Sequence, residues 1–171
     1  MNATEILLYN YRTALDQAQR YLALALGSAV GVWLLRGPSS VTKVMVPGIF
    51  VEVDWQTARI LLLGFHIVVA FLATYTVETG LRLAAGLKSH PQIANAMDDY
   101  PNIPCSPWPL VRLAVPILCM VLVGWAQFAS STAFGVGNVV AIVLLFSAHF
   151  TLITYLWRHP NGEISPLHLK K

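Results

Sequence analysis

Four long apolar runs, at about residues 21–35, 60–77, 110–129 and 136–157, constrain this chain more than any other feature. The hydrocarbon core of a bilayer is about 30 Å thick, and an α-helix needs about 20 apolar residues to cross it. The last three runs meet that length. The first is 15 residues long. It crosses only if Arg20 and Arg36 stretch their charged ends to the interfaces and Tyr21 and Trp33 anchor its boundaries. The expected fold is an all-α integral membrane protein, a single membrane domain over 1–171 with four transmembrane helices.

Composition agrees with that reading. Charged residues make up 11% of the chain, against about 25% in an ordinary soluble domain. The formal charge of +3 is spread thinly, with no basic run longer than Lys170-Lys171. No nucleic-acid partner is expected, and the basic residues are read as orientation signals.

With the amino terminus inside, Arg12, Arg20, Arg82, Lys88, Arg112, Arg158, Lys170 and Lys171 face the cytoplasm, leaving Arg36, Lys43 and Arg59 outside. That asymmetry places both termini on the cytoplasmic side. Trp33, Trp55, Trp108 and Trp157 fall at the expected span ends, where aromatic belts form. The general character is that of small multi-pass proteins of a bacterial inner membrane. A cleavable signal peptide is not expected, because Glu5, Arg12, Asp16 and Arg20 interrupt the first 20 residues.

Upstream of the first run, Leu7, Tyr11, Ala14, Leu15, Ala18 and Leu22 form a helical stripe, opposite the i,i+4 pairs Arg12–Asp16 and Asp16–Arg20. Asn2 and Glu5 resemble a capping box. No Gly or Pro separates this stripe from the first run, so one continuous helix of roughly 50 Å is expected, with an amphipathic amino-terminal extension. The outer loop, 37–58, alternates apolar and acidic residues through Ile49-Phe50-Val51-Glu52-Val53-Asp54-Trp55, and Pro47-Gly48 would turn the chain between two short strands. Two short strands are expected there, and they need a partner to be stable. The cytoplasmic loop, 78–109, extends the second helix to Lys88 and then breaks at Pro101, Pro104, Pro107 and Pro109. Ser130 to Gly135 makes a tight turn between the third and fourth spans.

Several residues are candidates for function. Ala23, Gly27 and Gly31 form two overlapping small-xxx-small steps, a seam on which another helix packs closely. His66 and His149 are the histidines inside the spans, and intramembrane ionisable groups are functional candidates. Axial ligation of a haem iron by the two would make the chain a redox membrane protein. At 1.5 Å per residue, however, His66 is expected about 10 Å below the outer boundary and His149 about 20 Å. That difference argues against a shared iron and for packing. Asn138, eleven residues before His149, shares its helix face. Glu78 ends the second span beside Arg82 at i+4, an arrangement that suits an interfacial ion pair.

Cys105 and Cys119 are not expected to form a disulfide, since one lies in a loop and the other in a span. The spans hold no HExxH, no GxSxG, no carboxylate pair and no histidine array. Catalysis, a cofactor and a bound metal are therefore not expected. The leading expectation is a non-enzymatic accessory or structural subunit. Its partners would be the lipid bilayer and other membrane subunits, or further copies of itself. An oligomeric small transporter or channel using Glu78, His66 and His149 is the alternative.

Overall fold

A computed structural model describes residues 3–36, 43–46, 51–87, 102–106, 108–130 and 136–157. The described chain is mostly helical. In order it holds α1 (Ala3–Leu34), β1 (Lys43–Val46), β2 (Val51–Asp54), α2 (Trp55–Leu87), a single 3₁₀ turn (Ile103–Cys105), α3 (Pro109–Ser130) and α4 (Val136–Trp157). Asn2 and the 131–135 turn lie outside the described residues.

One spacing explains how the helices associate. On α1 the buried residues include Tyr11, Leu15, Ala18, Leu22, Ala25, Ala29 and Val32, alternately four and three apart. On α2 the same alternation runs through His66, Ala70, Ala73, Val77, Gly80, Ala84 and Leu87. Leu145, His149, Leu152 and Leu156 continue it on α4. A heptad-like seam keeps one stripe facing its neighbours along slightly supercoiled helices, as in four-helix bundles. In this bundle α1 and α4 each pack against both α2 and α3.

The core is layered along the bundle axis. One layer joins Ala25, Ala29, Val69, Cys119, Val123 and Leu145 from all four helices. The next joins Leu22, Ala73, Val77, Leu113, Leu152 and Leu156. Beyond it, Tyr11 and Leu15 pack on Ala84 and Leu87, and only α1 and α2 contribute. The amphipathic stripe expected before the first apolar run is thus the contact face of α1, and its partner is the far end of α2. The 3₁₀ turn docks there as well, its Ile103 N–H donating to Gln19 Oε1 at 3.3 Å.

Three helices, α2, α3 and α4, are long and apolar enough to cross a membrane. Helix α1, which carries Arg12, Asp16 and Arg20, is not among them. Helix α2 ends at Leu87, one residue from the expected limit.

The expected strand pair also forms. β1 and β2 are antiparallel, with Lys43 opposite Asp54 and Val46 opposite Val51. An exposed ion pair, Lys43 to Glu52 at 3.6 Å, crosses the pair diagonally. Asp54 then caps α2: its Oδ1 accepts the Thr57 N–H at 2.9 Å, and its Oδ2 accepts the Thr57 hydroxyl. These bonds favour the carboxylate and hold the Asp54 carboxyl below its usual value of 3.8.

Candidate functional site

A group of buried polar side chains lies inside the bundle where α1, α2 and α4 meet. His66 on α2 and His149 on α4 are both fully buried, and their rings stack with centroids 5.1 Å apart and planes 14° from parallel. The depth difference expected from counting along the runs is therefore wrong. Those depths count from Arg59 and Val136, whereas α2 already starts at Trp55, four residues before Arg59.

Hydrogen bonds fix the orientation of both rings. His66 Nδ1 lies 2.8 Å from Ser28 Oγ and 3.0 Å from the Ala25 carbonyl oxygen on α1. A carbonyl oxygen only accepts, so Nδ1 carries the hydrogen and donates. The Ser28 hydroxyl in turn donates to the Ala25 carbonyl at 2.9 Å. This leaves His66 Nε2 as a bare acceptor, buried without a hydrogen-bond partner. By the same argument His149 Nδ1 donates to the Leu145 carbonyl, 2.9 Å away on its own helix.

Around this pair, other polar groups tie helices together. The Thr74 hydroxyl reaches the Ala70 carbonyl at 2.9 Å and the Ala148 carbonyl on α4 at 3.3 Å. Toward the start of α2, Arg59 Nη2 donates to the Ala126 carbonyl at 3.0 Å and to Gln127 Oε1 at 3.2 Å on α3. Cys119, a free buried thiol, lies in the layer that holds Ala25 and Leu145. Among the described residues, no group of three or more His, Cys, Asp or Glu side chains is placed to hold a metal ion.

With both histidines at one level, haem ligation becomes a question of ring orientation. A bis-imidazole iron requires two ring nitrogens aimed at one point. Stacked rings turn their faces, not their nitrogens, toward each other. The geometry matches two neutral imidazoles packed between helices, as polar side chains do inside membrane bundles.

The other candidates separate. Glu78 pairs with Arg82 at i+4 and is half-buried, as the ion-pair reading expects. The side chain of Asn138 lies outside the described residues. The seam divides: Gly31 faces α2, where a Cβ would come 2.6 Å from Leu62 Cδ2, while a Cβ on Gly27 would meet nothing within 4 Å. Ala23 is also exposed. Three residues of this interior escaped sequence reasoning as site members. Ser28 and Thr74 lie unremarked in apolar runs, and Arg112, counted there as an interfacial cation, is 1% exposed. No protein-family model, curated protein or solved structure matches this chain.

Proposed function

We propose that this protein is a four-span, non-enzymatic accessory subunit that docks against another helix in the membrane, with both termini on the cytoplasmic side of a bacterial inner membrane. The observation that carries the reading is the outward face of α4. There Gly137, Val140, Leu144, Ser147, Thr151 and Thr154 form an exposed line at alternating spacings of three and four. Bulky apolar groups such as Phe65, Phe71, Tyr75, Leu118, Trp125 and Phe128 are exposed on α2 and α3, and on α4 Val143, Phe146 and Phe150 are exposed beside this line. Bulky apolar side chains suit lipid. Small and hydroxyl-bearing residues in helical register suit the close approach of a second helix.

The packing of α1 supports the fourth span. Gly31 lies against Leu62 and Ser28 against His66, so the second half of α1 runs beside the membrane-crossing part of α2. The excess of basic residues on the loops and ends assigned to the cytoplasm supports the orientation.

Extraction in mild detergent at native expression should yield a complex well above the 18.8 kDa of the chain. Replacing Ser147 and Thr151 together by Ile should release the chain from that complex without loosening its own fold. Val121→Ile on the bulky face of α3 should leave the complex intact. A monodisperse monomer from the unaltered protein would overturn the reading.

One observation favours a second reading, an oligomeric transporter or channel: the bare Nε2 of His66 in the bundle interior. In proteoliposomes that reading requires His66→Gln or Glu78→Gln to change an ion or solute flux while the protein stays folded. Unchanged flux across a broad screen of solutes removes it.

A further inference from the structure

We infer that the niche between the strand pair and the first turns of α2 binds one membrane phospholipid, with an acyl chain in the niche and its phosphate against Arg36. The cavity has a volume of about 460 Å³ and is lined by Leu35 after α1, Val44 and Met45 of β1, and Ala58, Leu61, Leu62 and Phe65 of α2. Among the described residues, every side chain that lines it is apolar. The volume lies within the range of roughly 300–1,000 Å³ typical of sites that enclose a small organic molecule.

The position of the niche selects its occupant. It opens beside Leu61 and Phe65, which are 56% and 49% exposed on the outward face of α2, a helix apolar enough to cross the bilayer. What reaches that face in a membrane is lipid. Trp33 and Trp55 mark the same end of the bundle, where aromatic residues sit at headgroup level.

The headgroup has a partner at that level. Arg36 directly follows the lining residue Leu35, and its guanidinium lies 4.2 Å from the centroid of the Trp33 ring. Its Nη1 donates to the Trp33 carbonyl at 3.3 Å. A guanidinium carries five N–H donors, so this pose holds the group in place and leaves Nε and Nη2 for a phosphate oxygen pair, the geometry in which Arg recognises phosphate best. Lys43, next to the lining residue Val44, pairs with Glu52 across the strands.

This also supplies the partner that an isolated pair of four-residue strands needs. One apolar chain would bridge β1 and α2. The inference is independent of the accessory-subunit reading, because it concerns the strand pair and not the outward face of α4.

Native mass spectrometry of the full chain tests it, with 1-palmitoyl-2-oleoyl-phosphatidylglycerol added to the detergent micelle as the probe. The unaltered protein should retain one lipid at activation energies that strip the rest. Met45→Trp fills the niche from the strand side, outside the helix bundle, and should lower that retained population at least tenfold. Arg36→Gln, which leaves the niche open, should lower it severalfold, and an unchanged far-UV circular dichroism spectrum should accompany both variants. Equal retention in the unaltered protein and in both variants would overturn the inference.

Discussion

The imidazole of His66 lies on the imidazole of His149, 5.1 Å from centre to centre, and each ring donates from Nδ1 to a backbone carbonyl, at Ala25 and Leu145 respectively. The first donation crosses from α2 to α1, and the second stays within α4. The stacked pair thus joins α2 to α4, beside the Thr74–Ala148 hydrogen bond, while the His66 donation joins α2 to α1. Disruption of either should be readable separately.

Ser28→Ala removes one of the two acceptors near His66 Nδ1 and leaves the Ala25 carbonyl in place. The expected loss is about 0.6 kcal/mol, the usual size of an interhelical hydrogen bond in a membrane bundle. His66→Leu removes the donor together with the stacked ring and should lower stability further, toward about 1.7 kcal/mol for the hydrogen-bond part. Unfolding by titration with sodium dodecyl sulfate measures both. Equal loss in the two variants would contradict the assigned donor.

Gly31 and Gly27 should respond oppositely to the same change. A Cβ at Gly31 meets the end of the Leu62 side chain, which can turn aside, so Ala should be tolerated there. Ile is too large for that escape, and overpacking should cost about 1–3 kcal/mol. Gly27→Ile points into open space and should leave the stability of the bundle nearly unchanged. The same detergent titration compares them, and similar losses would show that Gly27 is packed too.

Asp54 gives the start of α2 a dependence on pH. Its folded carboxyl titrates below the usual 3.8, mainly because it accepts the Thr57 hydroxyl. A group whose acidity is increased by folding stabilises the fold above its unfolded value and loses that contribution as pH falls through the folded value. Amide exchange of the Thr57 N–H, corrected for intrinsic rates, should be slowed at neutral pH. Protection should drop below about pH 4. Asp54→Ala should exchange faster at neutral pH and lack the acid step. An acid step that survives in Asp54→Ala would assign it to another group.

Glu78→Gln breaks the ion pair with Arg82 at i+4. The Arg82 side chain is 79% exposed, so solvent screens the pair and the change should stay within about 0.5 kcal/mol. A larger loss in thermal unfolding would mean that Glu78 holds more than Arg82.

Much of the helical layout was legible because length, apolar content and aromatic ends are properties of consecutive residues. The second, third and fourth runs became α2, α3 and α4, and the alternation expected over Ile49–Trp55 holds β2 at Val51–Asp54, while Trp55 already starts α2. Contacts between distant residues were not legible. Counting depth along each run could not bring His66 and His149 together, because an error of a few residues in each entry point moves a ring by several ångströms. Gly27 and Gly31 read as one seam, yet residues four apart on a helix of 3.6 residues per turn point about 40° apart. That angle is enough to send one toward Leu62 and the other outward. Ser28 carried no signal, since a serine in an apolar run looks the same whether it holds a histidine or faces its own backbone. Arg112 reads from sequence as an interfacial charge, and only the packing of α3 shows it to be buried.

Helices α1 and α2 contain 32 and 33 residues, so each is about 50 Å long and exceeds a hydrocarbon thickness of about 30 Å by some 20 Å. On the four-span reading proposed above, the excess of both helices is joined into one rod where Tyr11 and Leu15 pack on Ala84 and Leu87. Its standoff from the bilayer surface is set by residue number, in steps of a seam repeat. Removing seven residues from each helix within that rod would preserve every remaining contact and shorten the reach by about 10 Å.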